Sequence, residues 1–225
     1  MFRALINLFF PKVCLTCQLQ LVDNEEHLCT DCRHSLPLTN FHLTQDNFIA
    51  KQFYGRAKIG TGTALLRFEK KGITQKLIHQ LKYKEQQQVG SFLGAWLGTE
   101  LGKCEDYANI DIVIPVPLHK KKLRNRGYNQ VTKFGEEIAI ALQAEYVDNV
   151  LLKVTNTKSQ VTKNRFSRWT GKNDTFALAN TQKIVGKHIL LVDDIITTGA
   201  TLEACMLELN KVEGLKISIA TMAIA

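Results

Sequence analysis

The hydrophobic positions of the chain follow two spacings, one typical of helices and the other of buried strands. Ile73, Leu77, Ile78 and Leu81 recur at intervals of three and four residues, which predicts an amphipathic helix. Three more helices are predicted at Val89–Lys103, Gln130–Gln143 and Ala200–Lys211. Short apolar runs predict strands at Asp111–Pro117, Val150–Val154, His188–Val192 and Leu215–Met222. Strands that alternate with helices favour an α/β fold with a doubly wound, mainly parallel sheet, in which ligands bind beyond the carboxyl ends of the strands.

The same pattern divides the chain into three parts. Residues 1–37 form a cysteine-rich module, which begins with the apolar stretch Met1–Phe10, a predicted short helix. Residues 38–52 are polar and show little periodicity, so a linker is predicted there. Residues 53–225 carry the alternating elements and are predicted to form the main domain.

Two CxxC pairs dominate the first part. Cys14, Cys17, Cys29 and Cys32 have the spacing of a zinc ribbon, in which four thiolates hold one Zn²⁺ in tetrahedral geometry. A site with four cysteines leaves no coordination position open, so the predicted zinc is structural. The alternative is a pair of disulfides, which the lack of a recognisable signal peptide makes less favourable because reducing compartments keep thiols free.

The most informative motif lies at Ile189–Thr201 and reads ILLVDDIITTGAT. Asp193 and Asp194 come at the end of a buried strand and offer acceptors for sugar hydroxyl groups. A polar loop follows and opens a helix, where backbone N–H groups and hydroxyls suit a phosphate: Thr197, Thr198, Gly199, Ala200 and Thr201. The arrangement predicts a ribose 5-phosphate site. A Walker A loop is excluded because Gly-Lys-Ser/Thr is absent, and a phosphoacceptor site of the receiver type would not need the threonine-glycine loop.

The net charge of +8 is concentrated in two segments that contain no acidic residue. The first spans residues 112–135 and the second residues 149–173, and each holds six lysines and arginines. Such localised charge indicates that an anion is held between the two segments.

These motifs together resemble a known family. ILLVDDIITTGAT resembles the signature of type I phosphoribosyltransferases for phosphoribosyl pyrophosphate (PRPP). The segment IVIPVPLHKKKLRNRGYNQ at residues 112–130, the four-cysteine module and Leu81-Lys82-Tyr83 resemble the ComF family. Members of that family are bacterial zinc-ribbon, phosphoribosyltransferase-like proteins linked to DNA uptake in competence.

The resemblance implies a role for each part of the site. Asp193 and Asp194 would contact the ribose hydroxyls as the catalytic pair, and Thr197–Thr201 would hold the 5-phosphate. A turn after an earlier strand would hold pyrophosphate: Pro115, Val116, Pro117, Leu118 and His119. Mg²⁺ would bind together with PRPP. The stretch Thr155–Lys172 is the candidate lid, and its Lys163, Arg165 and Arg168 would neutralise the pyrophosphate.

Two functions remain open at this point. The first is phosphoribosyl transfer to an unknown acceptor, and the second is a non-catalytic protein that binds PRPP and single-stranded DNA. Candidate nucleic-acid contacts lie in a lysine-rich turn and in the start of the helix expected after it: Lys120, Lys121, Lys122, Arg124, Arg126 and Tyr128. Tyr128 can equally pack into the core. Expected partners are a DNA-uptake helicase or membrane component, and the expected location is the cytoplasm or the inner face of the membrane; the oligomeric state is open.

Overall fold

A computed structural model describes residues 11–44, 48–83, 86–154 and 175–225 of the chain. The predicted N-terminal helix at Met1–Phe10 and the candidate lid at Thr155–Lys172, with Lys163, Arg165 and Arg168, lie outside the described residues.

Helices and strands alternate along the described part of the chain. The α-helices are α1 Thr30–His34, α2 Phe48–Phe53, α3 Ile73–Tyr83, α4 Gln88–Leu101, α5 Lys120–Arg126, α6 Thr132–Leu142 and α7 Ala200–Leu209. The strands are β1 Gly62–Arg67, β2 Ile112–Pro115, β3 Glu145–Tyr146, β4 Leu151–Val154, β5 Thr175–Leu178, β6 His188–Ile196 and β7 Lys216–Ile224. Short 3₁₀ helices lie at Phe41–Leu43, Glu105–Tyr107 and Thr181–Lys183.

Five of these strands form one sheet in the order β1-β7-β6-β2-β3. Each neighbouring pair in this sheet is parallel. The strands β4 and β5 pair with each other as a separate antiparallel sheet. The predicted fold class, an α/β fold with a mainly parallel sheet, is therefore confirmed.

The central strand β6 separates two apolar layers. Leu190 and Val192 belong to one buried cluster, which includes residues of α3, α4 and α6. Ile189 and Leu191 belong to the other, which includes residues of α2 and α7. The alternation follows from the two-residue period of a strand, and it explains why His188–Val192 is apolar at nearly every position.

Most of the predicted elements are confirmed, and outside β6 their ends move by at most two residues. The largest difference is in β6, which continues through the two aspartates to Ile196 rather than ending at Val192. The strand β1 was not predicted, because it follows a glycine-rich stretch and its central residues are buried without alternation.

The basic segment after β2 is where the sequence interpretation was wrong. Lys120–Arg126 was expected to be a turn, with Arg126 opening the next helix, but this segment is the helix α5. His119 caps it by accepting a hydrogen bond at Nδ1 from the backbone N–H of Lys121, 3.1 Å away. Gly127 ends it with a φ of +80°, a conformation that glycine adopts at little cost.

The cysteine module packs against the main layers. Cys14, Leu15, Leu28 and Leu36 are buried in the same cluster as α3 and α4. The segment predicted as a linker also makes contacts, since Leu38 forms an isolated antiparallel bridge with Leu66 of β1. No helix in the described residues is long and apolar enough to cross a membrane.

Candidate active site

The site lies where β2 ends beside β6, which continues for four residues beyond their last pair. Pro115 of β2 is paired with Val192 of β6, and the backbone N–H of Val116 donates to the carbonyl of Val192 at 2.8 Å. Asp193 is the next residue of β6. The predicted pyrophosphate turn at Pro115–His119 and the predicted carboxylate pair therefore lie next to each other at the carboxyl edge of the sheet.

The loop after β6 is built as an anion cradle. Gly199 has a φ of +76° and is the N-cap of α7, so the loop turns directly into a helix start. The backbone N–H groups of Thr198, Gly199 and Thr201 have no acceptor among the described residues. Free N–H groups at a helix N-terminus favour a bound phosphate, both as donors and through the helix dipole.

Residues of α2 and the stretch after it hold this loop in place. The Gln52 side chain donates to the carbonyl of Thr197 at 2.6 Å, and Arg56 donates to the carbonyl of Thr198 at 3.2 Å. Arg56 also pairs with Glu203 of α7. These contacts occupy the loop carbonyls, which would repel a phosphate, while the N–H groups stay available.

The two aspartates of β6 have different surroundings. Asp193 lines a small cleft together with the loop residues 195–202. The Asp194 side chain instead meets the α3 and α6 side, where its Oδ2 accepts from Gln130 Nε2 at 2.7 Å and pairs with Lys82 Nζ at 2.8 Å. Both aspartates are largely buried, at 9% and 4% exposure, so a charge on either depends strongly on these neighbours.

Burial and the adjacent charge of Asp194 raise the pKa of Asp193 to about 8. The backbone N–H of Asp194 and the positive charges of Lys82 and Lys153 act in the opposite direction. Asp193 is therefore held largely protonated near neutral pH in the ligand-free protein, whereas a nearby cation would favour its ionised form.

The RGYNQ segment connects three parts of the site. Arg126 donates to Gln130 Oε1, which orients the Gln130 amide so that its nitrogen faces Asp194. The Tyr128 hydroxyl donates to the carbonyl of Leu81 at the end of α3. Asn129 donates to the carbonyl of Val116 in the pyrophosphate turn at 3.0 Å. The sequence left two roles open for Tyr128, contact with nucleic acid or packing into the core. In the structure its ring is partly buried and packs at the edge of the core.

A cleft of about 360 Å³ lies on the Lys82 side of the carboxylate pair. It is lined by Lys82, Tyr83, Lys122, Asn125, Arg126 and Tyr128. None of the described residues that line it is acidic. Tyr83 is exposed, and the Arg126 guanidinium lies 5.8 Å from the centre of its ring. Lys120, Lys121 and Arg124 lie on the exposed surface of α5 outside this cleft. The cleft is suited to an anion.

Sequence reasoning missed Lys82 and Gln130 as parts of the site. Each reaches Asp194 from a distant element, and neither contact follows from local spacing. The only signal was that both belong to segments, Leu81-Lys82-Tyr83 and RGYNQ, that carry the family resemblance.

The four predicted metal ligands are close together in space. The Sγ atoms of Cys14, Cys17, Cys29 and Cys32 all lie within 4.8 Å of one another, and those of Cys17 and Cys29 are 3.6 Å apart. Tetrahedral zinc with bonds of about 2.3 Å places its sulfurs about 3.8 Å apart. Burial would raise the pKa of the Cys14 thiol, but hydrogen bonds from the Cys17 backbone and Thr16 hydroxyl bring it down to about 6. The cluster is therefore compatible with a zinc site.

The chain is similar to several known proteins. The family model for the phosphoribosyl transferase domain matches residues 131–224. The DNA utilization protein YhgH of Shigella flexneri is 24% identical over 207 residues, which cover 85% of this chain and 87% of that protein. The competence protein ComFC of Streptococcus pneumoniae is 34% identical over 108 residues, or 48% of this chain and 44% of the other. Among solved structures, the glutamine PRPP amidotransferase of B. subtilis is similar at 18% identity with a TM-score of 0.41, covering 63% of this chain and 30% of that one.

The parallel sheet, the carboxylate pair and the loop at the start of α7 define a phosphoribosyltransferase-like protein. The four-cysteine cluster and the similarity to competence and DNA utilization proteins support the resemblance to the ComF family.

Proposed function

We propose that the protein binds PRPP at the carboxyl edge of the sheet and transfers its phosphoribosyl group, with release of pyrophosphate. The observation that carries this proposal is the pairing of two buried carboxylates with a loop in which the N–H groups of Thr198, Gly199 and Thr201 have no acceptor among the described residues. Within the described residues each carboxylate also keeps one oxygen without a hydrogen bond. Ribose hydroxyls are donors and the 5-phosphate is an acceptor, so PRPP matches both halves of the site.

The chemistry is displacement of pyrophosphate from C1 of the ribose by a nitrogen nucleophile. Positive charge develops on the ribose ring, where the carboxylates of Asp193 and Asp194 stabilise it. Negative charge develops on the departing pyrophosphate, for which the backbone N–H of Leu118 in the turn Pro115–His119 is a donor and the neighbouring Lys122 and Arg126 supply cationic groups.

Mg²⁺ fits the same site, because carboxylate oxygens are the ligands it prefers and the pair offers unpaired ones. When bound with PRPP it would neutralise part of the pyrophosphate charge. Its positive charge would also favour ionised Asp193, whose pKa is raised in the ligand-free protein.

Release of pyrophosphate from PRPP, measured in the presence of a panel of nucleobases, amines and oligonucleotide ends, tests the transfer step. We expect release with at least one acceptor, and the loss of that release in Asp193→Asn. Tight PRPP binding without pyrophosphate release in the presence of any acceptor would contradict transfer and indicate a protein that only binds PRPP.

The exposed helix α5 favours a second function, the binding of single-stranded DNA. It presents lysines and arginines in five of its seven positions, with Leu123 and Asn125 in the other two, and none of its residues is buried. In this alternative the protein holds PRPP without turnover and assists a DNA-uptake helicase or membrane component. The names of its relatives, a DNA utilization protein and a competence protein, support a role in handling DNA.

The four-cysteine cluster is proposed to hold one structural Zn²⁺. The four thiolates would complete its tetrahedral coordination, so the ion would stabilise the module between Cys14 and Cys32 and take no part in the transfer.

A further inference from the structure

The side chain of Asp194 is held at a single oxygen. Lys82 Nζ and Gln130 Nε2 both contact Oδ2, at 2.8 and 2.7 Å. Oδ1 has no hydrogen-bond partner among the described residues, so it remains available. A carboxylate fixed through one oxygen presents the other in a defined direction, which is what recognition of a sugar hydroxyl requires.

Both donors are themselves fixed. Lys82 lies near the end of α3, and the backbone carbonyl of the preceding Leu81 is held by the Tyr128 hydroxyl. The Gln130 amide is oriented by Arg126, which donates to its oxygen and so leaves its nitrogen for Asp194. The Gln130 side chain is also largely buried, with the residue 8% exposed.

The charge of Lys82 has a second consequence. PRPP carries several negative charges, and two buried carboxylates beneath it would repel it if neither were neutralised. The Lys82 side chain is only 22% exposed and its ammonium group lies against Asp194, so it compensates one of these charges where water screens it weakly.

We propose that Lys82 and Gln130 are positioning residues of the PRPP site, which fix Asp194 through Oδ2 and keep Oδ1 for a ribose hydroxyl. This inference rests on the proposed PRPP-binding function. Lys82 in addition offsets the charge of the carboxylate pair. It acts on the ligand through Asp194, in contrast to Lys122, which lines the adjacent cleft without touching either aspartate.

A double-mutant cycle on PRPP binding in the presence of Mg²⁺ tests this inference. Lys82→Met should weaken binding about 10- to 100-fold, because it leaves Asp194 buried without its cation. Lys82→Arg should restore most of the affinity. In the Asp194→Asn background the same Lys82→Met change should alter the dissociation constant by less than about threefold, since the group on which it acts is already gone.

The surface pair of Lys187 and Asp111, at 3.2 Å and about half exposed, provides the matched control. Lys187→Met should leave PRPP binding unchanged. If Lys82→Met does not fold, Lys82→Gln, which keeps a polar side chain but removes the charge, replaces it in the cycle. An equal loss in both backgrounds would show that Lys82 contacts the ligand directly and would overturn the inference, as would unchanged binding in Lys82→Met. A wild-type protein that does not bind PRPP overturns the proposed function itself.

Discussion

At the scale of single residues, Gly199 is the most constrained position of the loop. Its φ of +76° disfavours any side chain, and an added Cβ would lie 2.9 Å from Cζ of the buried Phe53. The loop geometry therefore depends on glycine for two separate reasons, backbone conformation and space.

Gly199→Ala tests these two effects against a control in the same chain. Gly127 has a similar φ of +80°, but apart from its chain neighbours none of the described residues comes within 4 Å of its Cβ position. Gly127→Ala should lower the free energy of unfolding by about 1–2 kcal/mol through backbone strain alone. Gly199→Ala should lower it by about 1 kcal/mol more, because of the contact with Phe53, and should also weaken PRPP binding. Urea unfolding measures both, and equal losses would show that Phe53 does not restrict the loop.

Asp193 should make stability depend on pH. Its pKa is about 8 in the folded protein and about 4 in an unfolded chain, so the folded state binds more protons between these values. This contribution is complete below pH 4 and is lost as the pH rises to about 8. Without Mg²⁺ and PRPP, the melting temperature of the wild type should therefore fall relative to that of Asp193→Asn between pH 5 and pH 8. A constant difference across this range would contradict the raised pKa.

At the scale of elements, the sequence predicted features formed by neighbouring residues better than features that depend on contacts between distant parts of the chain. The strand, carboxylates and loop of Ile189–Thr201 are contiguous, so one motif predicted them together. The helix α5 was missed because its single apolar residue, Leu123, gives no periodicity. Its ends are set instead by the cap at His119 and the turn at Gly127. The contacts of Lys82 and Gln130 with Asp194 join separate elements and appear only when the chain is folded.

The helix α5 also carries a prediction about nucleic acid. Lys120, Lys121, Lys122 and Arg124 are exposed, and the affinity for an oligonucleotide bound there should fall steeply as the salt concentration rises. The double charge reversal Lys121→Glu with Arg124→Glu should weaken binding to a single-stranded oligonucleotide and reduce the slope of log K against log salt by about 1.4.

The control is the double charge reversal Lys58→Glu with Lys183→Glu, at two exposed lysines outside α5. It changes the net charge by the same amount. Equal weakening by both double variants would show that net charge alone attracts DNA and that α5 is not the contact surface.

At the scale of the whole molecule, the cysteine module is joined to the main domain by specific contacts. The Arg33 guanidinium lies 5.2 Å from the ring centre of Trp96 in α4, and Gln80 of α3 donates to the carbonyl of Leu15 at 3.2 Å. Because α3 also carries Lys82, the module supports the helix that reaches the site. Loss of the proposed zinc should therefore affect the main domain as well.

Metal analysis of protein purified without oxygen should find one zinc per chain. Cys17→Ser should lower the zinc content well below one and reduce the melting temperature, although Cys17 is exposed and contributes little packing. Cys104→Ser, outside the cluster, should retain the metal. A wild-type protein without zinc, or a Cys17→Ser variant that retains a full equivalent, would contradict the proposed site.

The central claim is that the carboxyl edge of the sheet binds PRPP, and calorimetric titration of the full chain with PRPP and Mg²⁺ tests it most directly. We predict saturable binding at one site per chain. In Asp194→Asn this binding should be about 10- to 100-fold weaker, because hydrogen bonds to a charged carboxylate contribute about 1.5–3 kcal/mol each. The exposed Asp148→Asn should bind like the wild type. No binding at millimolar PRPP, or an unchanged dissociation constant in Asp194→Asn, would contradict the account.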